Sequence, residues 1–517
     1  VLPISEAAEA AYLRSPIPEV GAIEILGGNY YLGADGQPRA LNDGQHGLMP
    51  RVGAVLKLDD KTVLRGGYGW FYDTNNVLND GIDQFGYSYS TNTTLTNDNG
   101  LTFLNTNLTS PECRADPAAC RTILADPFPV RFDGTRFNTP PGNALGDMAR
   151  AGRSFDYSPR DWERVRQQRW RIGVQRELGS RMVAEVAYLG SYVDNLGLTQ
   201  RLNPLAEQYW ADGLERDSAT ADFLNERIPN PFHISNFEFL RTDNPVVYHD
   251  LAENGFFTSE TIQRHQLLRA YPHMSSGNGL RQMRTPIGKS KYHHVELSLQ
   301  QRLWGGVEYT VAYTRAWDER ADFFFNEFDT EPTWRTSNSS IPHHLMVTAI
   351  TELPFGEGKP WLSRPGVLRA LAGGWQLSGI YHLQSGLLLD WPNAFYYGDN
   401  YEDILLPSGE RDREHWFNTD NFATSSSERP ASFHRRVFPQ RLDFLQADYR
   451  NQLDMRLTRS FSLGDNRRFE IAVDAINLLN TVEWAAPNTD PGDSNFGVVT
   501  AQRNEPRWLQ FQGRFTF

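Results

Sequence analysis

The sequence predicts an all-β protein, an antiparallel transmembrane β-barrel with short turns at one end and long loops at the other. Three observations predict it. Eleven segments alternate apolar and polar residues at period two. The connections between them alternate short and long. No run of 18 apolar residues exists, which excludes helical spans and leaves strands as the means of crossing a bilayer.

Taken in order, Val52, Ala54, Leu56 and Leu58 share one face of the first segment, and Leu64, Tyr68, Trp70 and Tyr72 are on the second. Trp170 to Leu178 and Met182 to Tyr192 follow, then Val295 to Leu299 and Val307 to Tyr313. Leu345 to Leu353, Trp375 to Leu383, Leu453 to Leu463 and Phe469 to Ala475 continue the pattern. The last segment is the clearest. Phe517, Phe515, Phe511 and Leu509 fall on one side, while Thr516, Arg514, Gln512, Gln510 and Trp508 fall on the other. About 9–11 tilted residues of this kind cross the hydrocarbon with one face in lipid. The opposite faces carry Glu185, Glu296, Glu308, Asp454, Arg456, Glu470 and Asp474. Charges there are costly in lipid and are expected to line an interior. A twelfth, weaker candidate is Gly21 to Tyr31. The expected division is therefore a leading segment, 1–50, with one possible strand at about 21–31 and a loop, followed by a barrel portion, 51–517.

The short turns at Asp59-Asp60-Lys61, Gly179-Ser180, Trp304-Gly305-Gly306 and Gly464-Asp465-Asn466 are rich in turn-forming residues. The long loops run from Asp73 to Val165, Asp194 to Lys289, Asp318 to Ile341, Gly386 to Asp448 and Thr481 to Pro506. One connection of intermediate length, Pro354 to Leu371, sits where a short one is expected. This alternation puts every long loop on one side, as in bacterial outer-membrane barrels with short periplasmic turns and long extracellular loops. The net charge of −13 argues against a nucleic-acid partner. Cys113 and Cys120 lie in a Pro- and Ala-rich loop, where an oxidising compartment would favour a small disulfide-closed loop over two free thiols. No signal peptide is visible after Val1-Leu2-Pro3, so an exported protein is expected to have been processed or to be encoded as a longer product.

Several stretches also resemble, in order, the Oar-like type of TonB-dependent receptor. They include Thr62-Val63-Leu64-Arg65-Gly66-Gly67-Tyr68-Gly69-Trp70-Phe71-Tyr72-Asp73, Tyr292-His293-His294-Val295-Glu296-Leu297 and Gly373-Gly374-Trp375-Gln376-Leu377-Ser378-Gly379. Trp416-Phe417-Asn418-Thr419, Asp474-Ala475-Ile476-Asn477-Leu478-Leu479-Asn480 and Asn495-Phe496-Gly497 extend the series. The resemblance covers nearly everything from about residue 50 onward. It implies a barrel of about 22 strands, plugged by an N-terminal domain and driven through an inner-membrane TonB–ExbB–ExbD complex. The sequence shows no plug, TonB box or carboxypeptidase-like domain, so it is expected to be the C-terminal half of such a barrel. Completion by missing sequence or by a second polypeptide is expected, because an open sheet leaves two unpaired edges in lipid. Outer-membrane lipid, lipopolysaccharide and the barrel-assembly machinery are the further expected partners. Phe517, a terminal aromatic on an alternating strand, resembles the signal read by that machinery. It would equally serve as one more lipid-facing residue.

Two loop clusters are candidate ligand contacts. After Tyr313 come Asp318, Glu319, Asp322, Glu327, Asp329 and Glu331, interleaved with Phe323, Phe325, Phe328 and Trp334. Carboxylates with carbonyls suit Ca²⁺, and exposed rings suit a sugar or peptide. The plainer reading is a solvated acidic loop with packed phenylalanines, and no EF-hand spacing is present. Trp391, Tyr396, Tyr397, Asp399 and Tyr401 form the second cluster, with the same two readings. His293-His294 and His343-His344 cannot chelate pairwise, because neighbours on a strand face opposite ways. No GxSxG, HExxH, Walker loop or CxxC occurs, so no cofactor and no enzymatic activity are expected. The leading function is import across the outer membrane by a TonB-dependent receptor. The alternatives are a non-transporting barrel that binds partners through its loops and, more distantly, a secreted β-protein acting on polysaccharide.

Overall fold

In the computed structural model all eleven predicted segments are strands. The structure describes residues 1–517 apart from 35, 41–43, 45, 74–84, 105–114, 117–122, 129, 131–133, 160–162, 276–278, 305 and 465–466. Cys113 and Cys120 lie outside the described residues. The strands are β1 (Arg51–Lys57), β2 (Thr62–Tyr72), β3 (Arg166–Glu177), β4 (Met182–Arg201), β5 (Leu280–Trp304), β6 (Val307–Phe323), β7 (His343–Glu352), β8 (Trp375–Gln384), β9 (Arg450–Ser462), β10 (Arg468–Ile476) and β11 (Trp508–Thr516). Each pairs antiparallel with its chain neighbours, so the sheet is one continuous meander.

The register keeps the two faces in phase across the sheet. Val186 lies opposite Val174 and Leu297, Leu297 opposite Tyr313, and Tyr313 opposite Leu345. On the other face Glu185 lies opposite Gln175 and Ser298, and Arg456 opposite Ser378 and Asp474. A slip of one residue at any strand would exchange apolar for charged side chains, which is what fixes the pairing. His293 and His343 point to the apolar face, where Tyr188 and Tyr313 hydroxyls meet their Nδ1 atoms at 2.7 Å. Their neighbours take the polar face, and His344 stacks on His382 at 5.9 Å.

Two boundaries differ from the sequence reading. Strands β4, β5 and β6 have 20, 25 and 17 residues, well beyond what a bilayer crossing needs. The loops therefore begin at 202 and 324 rather than 194 and 318, and Thr333–Thr336 pairs back onto β6. Beyond the bilayer both faces meet water, so alternation fades from the sequence while backbone pairing continues. The second difference is a correction: 21–31 contains no strand. Ile23 and Ile25 are buried in a loop core, with the Leu2 amide donating to the Ile25 carbonyl (2.9 Å) and the Ile25 amide to Ser5 Oγ (2.9 Å). Their alternation reflects one-sided packing on a protein core instead of on lipid.

The loops at the long end build cores of their own. The first joins the helix Ser5–Tyr12 and Ile23 to Leu145 and Met148 of the loop after β2. Phe232, Phe237, Leu251 and Phe257, from the loop after β4, complete it. Gly152, at φ +70°, lets the two loops touch: a Cβ there would sit 2.7 Å from Phe257 Cε2. The second core belongs to the loops after β8 and β10 and centres on Trp391, Phe417, Phe422 and Phe438. Among the described residues β1 and β11 each pair on one edge only, and every residue of both is exposed.

Candidate ligand-facing loops and barrel lumen

Three of the six acidic residues after Tyr313 are taken up by arginines. Asp318, on the elongated β6, pairs with Arg320 at 3.1 Å, and Asp322 with Arg335 at 2.8 Å. Glu327 receives Arg269 at 2.5 Å, Arg201 at 3.3 Å and the Leu205 amide at 3.2 Å. Asp329 caps its own turn by accepting from the Asn326 amide at 2.6 Å. Glu319 lies on β6 opposite Lys291 of β5. Among the described residues no three His, Cys, Asp or Glu side chains converge as a metal requires. Trp334 is partly exposed and lies under the Lys291 ammonium, 4.3 Å from the ring centre.

The aromatic cluster divides by burial. Trp391 stacks on Phe422 at 5.6 Å and touches Phe417 and Phe438, so it is loop core. Tyr396 is buried beside it and donates to the Asn400 carbonyl at 3.1 Å. Burial raises the pKa of the Tyr396 hydroxyl, and the partial cover of its neighbours does the same at Tyr401, which stays partly exposed. Tyr397, Asp399 and Tyr401 face solvent on the same loop, leaving them as the members of that cluster open to a ligand. Phe325 lies under Arg436, 5.7 Å from its guanidinium. Phe517 is exposed just beyond the end of β11, with Phe515 5.9 Å away.

Arg436 itself escaped the sequence reading. Burial pushes its guanidinium down to about 10. It is held by carbonyls, with Nε donating to Phe438 (2.9 Å) and Nη2 to Pro392 (3.1 Å) and Trp391 (2.5 Å). Its amide donates to Asn326 Oδ1 at 2.8 Å, tying the loop after β8 to the loop after β6. A bridge between Ala211 and His434 ties the loop after β8 to the loop after β4. The long loops thus form one interlocked layer at the mouth.

Within that layer His265 and His273 are buried, and burial pushes each imidazole down to about 4, with the Arg269 cation adding to the effect at His265. His265 packs 4.9 Å from the Phe433 ring, and His273 Nε2 donates to the Gly27 carbonyl at 3.1 Å. A histidine depressed in the folded state lowers stability only where the unfolded chain binds a proton that the folded chain does not. Stability is therefore intact above about pH 6.5 and falls as the pH drops towards 4, by at most ~3 kcal/mol per ring. Proteolysis within 202–279 is expected to accelerate several-fold between pH 7.5 and 4.5, with the strands still protected. His273→Asn should flatten that profile; a profile unchanged by it would contradict the assignment.

Along the polar face a concavity of about 410 Å³ is lined by Glu308, Thr310, Asp454, Arg456 and Asp474, with Ile350 and Ile380 among them. Arg456 reaches Asp474 at 3.3 Å, Glu470 at 3.5 Å and Gln512 Oε1 at 2.9 Å, a ladder across three strands. Arg171 and Glu185 make a second pair on the same face. The two isoleucines broke the polar pattern and had no signal in the sequence, since each is one apolar residue in an inward position.

A meander with one apolar and one charged face, carrying folded loops at a single end, defines an outer-membrane barrel. The model of the outer membrane beta barrel domain family matches residues 9–510, and the chain belongs to that family. It is an integral outer-membrane protein, and the apolar face is its lipid face. Solved structures that it resembles include the outer-membrane transporter YddB from Escherichia coli, at 11% identity and a TM-score of 0.38 over 89% of this chain and 39% of that one. The ferripyoverdine receptor of Pseudomonas aeruginosa matches at 10% and 0.35, over 91% of this chain and 33% of that one. BauA, the ferric preacinetobactin receptor of Acinetobacter baumannii, matches at 10% and 0.35, over 91% and 36%. The chain spans less than two fifths of the length of these structures' chains. No curated protein matches it.

Proposed function

We infer that the chain is the C-terminal barrel portion, 51–517, of a TonB-dependent receptor that imports a ligand too large or too scarce for passive diffusion. The Oar-like motifs give the subtype, and the long loops are extracellular. The observation that carries this reading is the pair of sheet edges at β1 and β11, each paired on one side among the described residues. In hydrocarbon every unpaired backbone group costs several kcal/mol, so the sheet calls for further strands, from the same polypeptide or a second one. The loop layer and the charged inner wall suit a gated, plugged lumen better than an open pore. In this reading the segment 1–50 belongs to the loop layer, and energy reaches the plug from TonB–ExbB–ExbD. In this reading Tyr397, Asp399, Tyr401 and Trp334, exposed on the loops, would meet a peptide, a glycan or a metal chelate, and no enzymatic step is involved. Assembly passes through the barrel-assembly machinery reading Phe517, in a membrane of phospholipid and lipopolysaccharide.

The test is the intact mass of the native, detergent-extracted protein with peptide mapping, followed by uptake assays with and without a functional TonB. A chain about twice as long, containing plug peptides, is expected. A mass matching these residues alone, in a closed barrel, would sink the reading and favour a partner-binding barrel.

A further inference from the structure

The connection between β7 and β8 is longer than a periplasmic-type turn needs, and the barrel gives it no use. It runs through Trp361 and Leu362 into a short helix, Val367–Ala372. Val367, Leu368 and Leu371 share one stripe of that helix and are 74%, 68% and 66% exposed, with Trp361 at 59%. Four large apolar groups facing water within one short connection are unusual for a soluble surface.

The helix sits on a definite side of the sheet. Its Leu371 carbonyl accepts from Trp375 Nε1 and from Arg459 Nη1, both at 2.9 Å. Trp375 and Arg459 lie opposite each other in the register, in phase with Leu377 and Leu457 on the lipid face. The C-terminal end of the helix is therefore held against the membrane-facing band. The Arg459 guanidinium lies over Phe461, 4.5 Å from the ring centre, and among the described residues it pairs with no carboxylate. An aromatic-backed guanidinium beside an apolar helix is what a phosphate headgroup above acyl chains would match.

We propose that residues 361–371 form an in-plane anchor in the phospholipid leaflet at the short-turn end, with Arg459 holding an anionic headgroup. The stripe lies at the boundary between headgroups and acyl chains. Trp361 sits at the same level, where amphipathic rings are favoured, and the surface charge of anionic lipid adds to the attraction. The anchor rests on the outer-membrane placement and on the proposed reading that the long loops are extracellular, and is independent of transport.

The test uses the full chain in phosphatidylethanolamine–phosphatidylglycerol bilayers, with Cys113 and Cys120 replaced by serine and an environment-sensitive nitrobenzoxadiazole label at Leu368→Cys. Asp60→Cys, in the turn between β1 and β2 at the same end, is the aqueous control; the Asp60 side chain is 97% exposed. At position 368 the label should emit to the blue of the control and be quenched at least twofold more by doxyl-phospholipid. It should also be shielded from iodide. Iodide access equal to that at position 60 would overturn the anchor, and Val367→Cys supplies an independent second reading. Arg459→Gln should abolish any preference for quenching by doxyl-phosphatidylglycerol over doxyl-phosphatidylcholine. An unchanged preference would overturn the headgroup assignment.

Discussion

Val186→Arg is expected to cost about 2–4 kcal/mol of barrel stability, while Ser298→Arg, on the neighbouring strand, should cost well under 1. Val186 lies on the lipid face in the first half of β4, between Val174 and Leu297, and is 53% exposed. A guanidinium there must be desolvated into hydrocarbon or drag water inward. Ser298 lies one residue from Leu297 but faces the lumen opposite Glu185, where an arginine gains a partner and remains in water. Urea unfolding in phospholipid bilayers, read by heat-modifiable gel migration, measures both. Equal costs for the two variants would mean that the faces are wrongly assigned, and with them the membrane placement of the whole sheet. Leu297→Arg should behave as Val186→Arg does, because the two side chains are cross-strand neighbours at the same depth.

The same physics explains which parts of the fold were legible in the sequence. Lipid on one side and lumen on the other impose opposite polarity on successive residues, so each crossing strand writes its own position into the chain. All eleven were readable for that reason, down to the inward direction of Asp454, Arg456 and Asp474. Where that asymmetry ends, legibility ends with it. The outer parts of β4, β5 and β6 have water on both faces and read as loop. Ile23 and Ile25 imitate a strand because a protein core also selects one face. In the candidate site, composition could not separate Trp391 from Tyr397: the loop rich in both buries the first against Phe422 and exposes the second. The arginine partners of the acidic loop were also hidden, since Arg269 lies 58 residues before Glu327 and no local spacing links them.

That last pair carries the largest expected effect in the loop layer. Arg269→Met should destabilise the layer by about 3–5 kcal/mol, because it strands a carboxylate that is only 10% exposed. Arg201 also reaches Glu327, but at 3.3 Å and from a side chain that is 42% exposed, so it offsets part of the loss. Arg269 further donates to the Asn203 carbonyl at 2.6 Å, so its removal leaves a second acceptor without that bond. Replacing both charges, as Arg269→Met with Glu327→Leu, should recover most of the stability, because desolvating two ions costs nearly what their attraction returns. Hydrogen exchange of the amides in 202–279 and 324–332 is the measurement, made on the detergent-extracted protein with the strand amides as an internal reference. Unchanged exchange in the single variant would mean that the layer is held by its apolar cores alone. The predicted pattern instead makes the ion pair the joint between the loop after β4, which has an apolar core, and the loop after β6, which contributes to neither core: single substitution loosens both loops together, and double substitution lets them close again without a charge between them.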